Sequence, residues 1–563
     1  MSSSASSSSP FQIRSHPTKG RGLYATQSFS PGEVIFPFTP LLLLPTVSCL
    51  NIVCSYCLRP GNPRACSRCH AASYCDATCQ AAAWKAVHSR ECKVLRQGIK
   101  DEDRRRRLPT PTRALIQAIL GKEIEDGLEG LEGHVLEKKA AKGEEWKDIE
   151  IMAMAACAFS GKGTAEEDIR KAAEMLCKIQ NNSFQRFDSD LGVIGLFLEP
   201  TLAMANHSCI PNAAVQFIGR NALLIAENPI RAGDEIELAY TCKEEPLPVP
   251  MTFPSLSTTT VVYTDPLPKR REALAHYKFV CQCLRCRDNL NVYQVAAVSP
   301  SVNLNSQSLV SDISKFRHHP ATSNSSKQSI INQYSESADP IVNALAEIES
   351  PSERHKLLKS EYKKRKALVD EELWAVTPLP DILFRISMLY GEEENFTFAL
   401  PVACLIATAC DPYQYTSPFH SIRLSGLFTI ANFLTHTAAT TASLENSTTP
   451  VSKTALLEQK IEQTLREIDQ VSLCQMLLIM VLRYSPSKYG TKMDLAVKAQ
   501  ALLDDIERLA GREQEASLID EWRRDPNSEK SQAFFEFAVV KQVDTLASLG
   551  KEVLERDFGD AAA

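Results

Sequence analysis

Residues 205–212 read Ala205-Asn206-His207-Ser208-Cys209-Ile210-Pro211-Asn212. The stretch is short and polar, and it follows the mostly apolar run Gly195–Met204. Asn206 and His207 carry groups that can hydrogen-bond a ligand. Cys209 is a candidate metal ligand with no partner nearby in sequence. What these three side chains face decides how the chain around them is read.

Working toward the C-terminus, Ala213 to Phe217 and Ala222 to Ala226 read as two strands about the turn Gly219-Arg220-Asn221. Gly233-Asp234 makes a second turn. Ile236, Leu238 and Tyr240 then alternate with Glu235, Glu237 and Ala239, and a period of two places Tyr240 on the apolar face. A Pro/Ser/Thr-rich stretch, 243–268, reads as a loop. After a short basic helix (Lys269 to His276) comes Tyr277-Lys278-Phe279-Val280-Cys281-Gln282-Cys283-Leu284-Arg285-Cys286. Its three cysteines are one ligand short of a structural zinc site. Cys209 is the candidate fourth, since zinc ligands need only be close in space.

Toward the N-terminus, residues 108–190 read as helical. Helix-spaced apolar positions run from Arg113 to Leu120 and from Ile169 to Gln180, and the pattern ends at Asn181-Asn182-Ser183-Phe184. Residues 54–92 carry the strongest local signal: Cys54-x2-Cys57, Cys66-x2-Cys69, Cys75-x3-Cys79 and His88-x3-Cys92. Thiolate and imidazole are the donors zinc prefers, and eight of them make two tetrahedral sites. Spacing alone leaves the pairing open. An interleaved order is favoured, with Cys54, Cys57, Cys75 and Cys79 in one site and Cys66, Cys69, His88 and Cys92 in the other. So short a segment draws most of its folding free energy from metal. Ile13 to Pro37, with Lys19-Gly20-Arg21-Gly22-Leu23 and Ser30-Pro31-Gly32, reads as short strands and tight turns.

The remainder of the chain sets bounds. With 563 residues and 23% charged residues it is long enough for several cores and of ordinary globular composition. A net charge of −6 gives no general field toward nucleic acid or membrane. Arg104–Arg107 is a local exception, read either as a solvated turn or as a nuclear-targeting or phosphate-contacting patch. No run approaches the ~20 apolar residues that span a bilayer. The serine-rich start lacks the apolar core of a secretory signal. A cytoplasmic or nuclear location follows, in which the 18 cysteines serve as metal ligands or small buried residues rather than disulfides. Cys49, Cys157, Cys177, Cys242, Cys404, Cys410 and Cys474 belong to the buried group. Residues 291–340 are Ser/Asn-rich and read as a linker or mobile insertion. From Ile341 helices are expected: Pro380 to Thr408, Phe419 to Thr435, Asp494 to Leu509, Ser531 to Leu554, and one carrying Leu457, Ile461, Leu465, Ile468 and Val471. Thr437 to Pro450 reads as a loop. Antiparallel helix pairs of a tetratricopeptide-like kind are expected there, although no clean 34-residue consensus is present.

The cysteine array, with Tyr74 before its fifth ligand and Trp84-Lys85 before its histidine, resembles a MYND zinc finger, mainly a protein-interaction module. With Lys19–Leu23, Asn182-Ser183-Phe184, Asn206–Asn212, Gly233–Tyr240 and the Cys281–Cys286 cluster in that order, residues 11–290 resemble the SET–MYND protein lysine methyltransferases. The resemblance implies an α+β, multi-domain chain. Residues 1–10 would be disordered and 11–53 would begin a β-rich SET domain. The MYND finger (54–92) and a helical insert (93–180) would interrupt it, and the SET core (181–242) would complete it. A loop insertion (243–268), a post-SET zinc segment (269–290), the linker (291–340) and an α-helical C-terminal domain (341–555) would follow.

The resemblance further implies S-adenosyl-L-methionine as cofactor and three Zn2+, the third held by Cys209, Cys281, Cys283 and Cys286. Lys19, Gly20, Arg21, Asn182, Asn206, His207, Tyr240, Tyr277 and Phe279 match cofactor-contacting positions. Tyr240 matches the catalytic position, where it orients amine and methyl. The expected substrate is a lysine of a histone or another protein. Proline-containing peptides are expected at the finger, the protein is expected to be a monomer, and direct nucleic-acid binding is not. A second reading keeps the finger and helices as a scaffold or transcriptional co-regulator around an inactive SET fold. The loop within 246–266 and the 296–340 stretch depart from the family by looking inserted.

Overall fold

The computed structural model describes residues 9–98, 108–141, 143–163, 165–188, 191–240, 265–299, 308–310, 317–336, 348, 350–443, 453–486, 489 and 493–559. Arg104–Arg107, Cys242, nearly all of the stretch expected to be disordered at 1–10 and most of the 243–268 loop lie outside these residues.

Twelve strands are present among them: β1 (Phe11–His16), β2 (Gly20–Ala25), β3 (Val34–Phe38), β4 (Leu42–Pro45), β5 (Arg64–Ala65), β6 (Ser73–Tyr74), β7 (Phe184–Asp188), β8 (Gly192–Leu198), β9 (Asn206–His207), β10 (Ala213–Ile218), β11 (Asn221–Ala226) and β12 (Glu235–Leu238). They form small sheets in the orders β1-β2-β12-β9, β10-β11-β3, β4-β8-β7 and β5-β6. The period-two pattern of β12 does the work expected of it. Ile236 and Leu238 are buried in a core shared with Leu23, Phe197 and Leu224, while Glu235 and Glu237 face away from it. β12 pairs antiparallel with β2 and parallel with β9, matching Glu237 to Asn206 and Leu238 to His207. Ala205–Asn212 therefore lies directly against the segment that ends at Tyr240. The strand stops at Leu238, so Tyr240 is released from the pleat.

Finger and insert share one core. The finger's helix Ser89–Gly98 leads, through residues outside those described, to helices Thr110–Leu120, Glu144–Ser160 and Glu166–Asn182. The last of these runs through Asn181 and Asn182, where a break in the pattern was expected.

The C-terminal region is a helical bundle with its own large core. Several sequence expectations change here. The 291–340 stretch is no simple linker: it contains helices Val292–Val298 and Ser325–Glu336, and Val292, Tyr293, Ala321 and Ile331 are buried in the bundle core. Both helices are short and bury only a few residues each. Leu457 to Val471 is not one helix. Lys453–Glu467 ends before Asp469, whose carboxylate caps a new helix, Gln470–Tyr484. The helix Ser421–Ser443 covers the first half of the expected loop at Thr437 to Pro450. Phe396–Gln414 is 19 residues long with mean hydropathy 1.4, enough by length and composition to cross a bilayer, yet 67% of it is buried inside the bundle. The final helix, Lys541–Asp557, returns to pack on Phe396–Leu405, a contact between distant segments that a linear repeat stack lacks. Gly550 makes this approach possible, because a side chain there would strike the Pro401 carbonyl.

The bundle is seated on the first half at several points. Phe419 covers the Gly32 turn, and Tyr489 and Met493 pack on Ile218, Leu223 and Ile225. The space left between the two halves is a cleft.

Candidate active site and metal centres

Three groups of four donors converge, each with its ligand atoms within 4.8 Å of one another: Cys54, Cys57, Cys75 and Cys79; Cys66, Cys69, His88 and Cys92; and Cys209, Cys281, Cys283 and Cys286. The finger sets are interleaved. All three are the thiolate or thiolate–imidazole sets that suit tetrahedral zinc, with every position filled by protein. Local structure aims the ligands. Asp76 caps the helix Ala77–Ala83 by accepting from the Cys79 amide at 2.7 Å. His88 points Nε2 toward Cys69 Sγ at 3.7 Å, while its Nδ1 meets the Glu91 carboxylate at 2.7 Å.

Glu91 was not singled out from sequence. It is buried and also accepts from Arg113 Nη2 at 3.0 Å and Gln117 Nε2 at 3.0 Å, both on the helix Thr110–Leu120. Burial opposes its ionisation, but Arg113 and His88 hold the carboxyl well below the usual range. A carboxylate behind a metal-bound imidazole fixes the tautomer; here it also joins the finger to the insert. The third cluster is flanked by two buried arginines that were likewise not singled out. Arg270 Nη2 approaches Cys286 Sγ at 3.6 Å, and burial lowers the Arg285 guanidinium to about 9. Four thiolates around a divalent ion leave net negative charge, which these guanidiniums offset.

The cleft has a volume of about 1250 Å³. One end is walled by the Lys19–Arg21 turn, Asn182, Asn206 and the rings of Tyr240, Tyr277 and Phe279. The other is walled by the bundle, including His420, Phe428 and Asp494. The rings form a cluster, with centroids 4.8 Å apart for Tyr240–Tyr277, 6.2 Å for Tyr240–Phe279 and 6.4 Å for Tyr277–Phe279. The Tyr240 hydroxyl donates to the Ala205 carbonyl at 2.9 Å. Burial, reinforced by Tyr277, pushes this phenol above its ordinary pKa, so it stays protonated.

All nine residues matched to cofactor positions line the cleft, but several use their side chains otherwise than expected. His207 does not offer its imidazole to a ligand. Nδ1 accepts the Tyr240 amide at 2.9 Å and Nε2 lies 3.2 Å from Cys209 Sγ, so the ring ties the catalytic-position tyrosine to the third metal cluster. Asn206 donates to the Arg21 carbonyl at 3.1 Å and to Glu235 Oε1 at 2.8 Å. Asn182 Nδ2 bonds the carbonyls of Glu132 at 2.8 Å and Lys178 at 2.7 Å, and Arg21 bonds the carbonyl of Gly130. Lys19 is paired with Glu235 at 2.7 Å and Glu237 at 3.0 Å. Partial burial works against its charge, but the two carboxylates outweigh this and raise its pKa. The alternation of β12 already placed both glutamates on one face; nothing in the sequence placed Lys19 opposite them.

Small sheets wrapped around a cleft, with an eight-donor finger inserted and a four-cysteine cluster behind an aromatic cage, fit a SET domain carrying a zinc finger. The sequence model of the SET domain family matches residues 20–241. Histone-lysine N-methyltransferase ASHR1 of Arabidopsis thaliana is 28% identical over 284 residues, 48% of this chain and 53% of that protein. Human histone-lysine N-methyltransferase SMYD3 is 28% identical over 289 residues, 48% of this chain and 59% of that protein. SET domain and MYND-type zinc finger protein 6 of Schizosaccharomyces pombe is 26% identical over 275 residues, 48% and 51%. The aligned region thus spans a little over half the length of these curated relatives. Residues 20–241 thus match a SET domain, and the chain is similar to proteins of the SET–MYND type over about half of its length.

Proposed function

We propose that the protein is an S-adenosylmethionine-dependent protein-lysine N-methyltransferase. The observation that carries this reading is the juxtaposition, in one cleft, of a polar turn (Lys19–Arg21, Asn206) and a three-ring cage pinned by the Tyr240 hydroxyl. The lining suits the cofactor's chemistry: carboxylates and carbonyls to accept from its ammonium and nucleoside ends, backbone N–H groups to donate to its carboxylate, and aromatic faces for a sulfonium. When bound, the cofactor supplies an electrophilic methyl group. A substrate lysine would first have to give up a proton to solvent.

The chain's own residues account for the rest. A lysine in water has a pKa near ~10.4. Tyr240, Tyr277 and Phe279 desolvate it and favour the neutral amine. Because the Tyr240 hydroxyl donates to Ala205, its lone pairs remain to accept an amine N–H. It therefore orients rather than deprotonates the substrate, and orientation set in advance is worth several kcal/mol of barrier. His207 holds the Tyr240 backbone against Cys209, so the third zinc is structural support for the cage.

The same reading takes a protein as substrate. It gives the finger a role toward proline-containing peptides, expects a monomer, and places the protein in the cytoplasm or nucleus, where thiols stay reduced for metal. The test is incubation with methyl-labelled S-adenosylmethionine and candidate proteins, read by mass spectrometry of lysine. Transfer is expected from the parent chain. Tyr240→Phe should bind the cofactor with unchanged affinity and lose activity by about 10²-fold, the scale of a lost positioned hydroxyl or amide. Unchanged transfer by that variant refutes the role of Tyr240.

A further inference from the structure

The cleft lining contains a carboxylate the proposed chemistry does not use. Glu227 follows β11 and is 7% exposed, yet it lines the cavity. Its backbone is fixed by a bond from its amide to the Asn212 carbonyl at 2.9 Å. Among the described residues its carboxylate accepts no hydrogen bond. The nearest basic group is His420, whose Nε2 lies 3.9 Å from Glu227 Oε1.

His420 is not a counter-charge. Its Nδ1 accepts the Ile422 amide at 3.2 Å, its ring stacks on Tyr415 at 4.4 Å, and burial pushes its pKa down to about 3. Burial in turn pushes Glu227 up to about 7. A buried carboxylate without a donor or cation is costly to keep and is rarely retained without a partner. The adjoining helix, Ser421–Ser443, sends Leu424 and Phe428 into the same cavity at helical spacing, with Ser421 and Ser425 beside them. Apolar walls leading to a carboxylate suit a long side chain with a methylene stem and a cationic end.

We propose that Glu227 is a specificity residue, receiving the ammonium or guanidinium of a second basic side chain that flanks the methylated lysine in the substrate. This rests on the methyltransferase reading and narrows it to substrates with a basic neighbour. The bundle then takes part in recognition, since His420, Leu424 and Phe428 form the opposite wall of the subsite.

The experiment uses the full-length, zinc-loaded protein with S-adenosylhomocysteine present. Fluorescein-labelled peptides carry one lysine in an alanine–glycine background, with arginine, citrulline or glutamate scanned through the flanking positions. Binding is read by anisotropy, and methyl transfer from S-adenosylmethionine is read in parallel. Arginine should bind at least about 10-fold tighter than citrulline at one position, the scale of a hydrogen bond to a charged group. Glu227→Gln should abolish that ratio, and Glu227→Asp should retain part of it. Thermal unfolding confirms the variants' fold, since glutamine matches the shape of the native side chain. Equal binding of arginine and citrulline everywhere, or a ratio that survives Glu227→Gln, overturns the proposal. Charge-selective binding without transfer to any peptide would count against the methyltransferase reading and leave the subsite standing.

Discussion

Replacing Glu91 with alanine should release one zinc of three. The carboxylate faces His88 on one side and Arg113 and Gln117 on the other, at 2.7 to 3.0 Å for the closest contacts, with Glu91 and Arg113 both almost fully buried. Removing it strands a buried guanidinium, which costs ~3–5 kcal/mol in comparable buried pairs. It also frees the His88 ring to turn away from the metal, and losing such a supporting partner lowers metal affinity ~10–100-fold. One carboxylate serves both roles, so the two costs overlap. Even the smaller figure is a large share of a domain's ~5–15 kcal/mol. The assay is competition with a chromophoric chelator, following release against time, together with metal content by mass spectrometry. The parent should give up zinc slowly from all three clusters. Glu91→Ala should show an early phase of one zinc per chain, drawn from Cys66, Cys69, His88 and Cys92. Glu91→Gln, which keeps the shape but not the charge, should fall between. An alanine variant that holds all its zinc as the parent does would refute the coupling. So would one that loses zinc equally from every cluster, because Glu91 touches only one.

Cys209→Ser should lower the zinc content by one while leaving the finger's two ions in place. It should also weaken S-adenosylmethionine binding by calorimetry, because His207 and Tyr240 are held through Cys209. Gly22→Ala should destabilise the fold by ~1–3 kcal/mol, as overpacking does, and reduce cofactor binding. The new Cβ would sit 2.6 Å from Glu235 Oε1 and 2.9 Å from Asn206 Nδ2, the groups that hold Lys19 and the Arg21 carbonyl. Stability should depend on pH through Glu227, whose carboxyl rises from 4.5 to about 7 on burial. Between these values the folded state keeps a proton that the unfolded chain has lost, so stability falls as pH rises through that window and levels off above it. Glu227→Gln should lack the fall and gain up to ~3 kcal/mol over the parent at pH 8 in denaturant titrations; a parallel pH profile in parent and variant would refute this.

The parts of this protein legible in its sequence are those where a strong local constraint leaves few solutions. Cys54 to Cys92 is such a case: eight soft donors in a short segment with little apolar surface must be organised by metal, although spacing alone leaves the pairing open and the fold sets the interleaved order. The turn at Gly219, the alternation of Ile236 and Leu238, and the helices of the insert are others, because period and turn chemistry act within a few residues. The 291–340 stretch was misread for the complementary reason. Helices Val292–Val298 and Ser325–Glu336 are short, the second polar on most faces, and they are held by a handful of buried residues whose partners, such as Ala375 and Tyr413, lie far along the chain. Propensity cannot report a contact whose other half is that distant.

At the site, chemistry was easier to foresee than geometry. Asn206, His207 and Cys209 were visible as groups with uses, but a side chain's partner is set by the fold. In His207 both ring nitrogens are turned inward, toward the Tyr240 amide and Cys209. That changes what the stretch Ala205–Asn212 does. The Ala205 carbonyl takes the Tyr240 hydroxyl, His207 takes the Tyr240 amide, and Cys209 joins the cluster formed by Cys281, Cys283 and Cys286. Tyr240 is thus gripped at both its backbone and its hydroxyl by a segment that is itself clamped by a metal cluster. The residues carrying Tyr277 and Phe279 enter that same cluster at Cys281. Cage and cofactor turn are therefore one mechanical unit, built from segments far apart in sequence, and the cleft's other wall comes from a separate bundle. Chemistry performed by such a site would be set by the first unit and substrate choice by the second. On this division the helical half contributes a wall to a site whose recognisable motifs all lie in the first 290 residues.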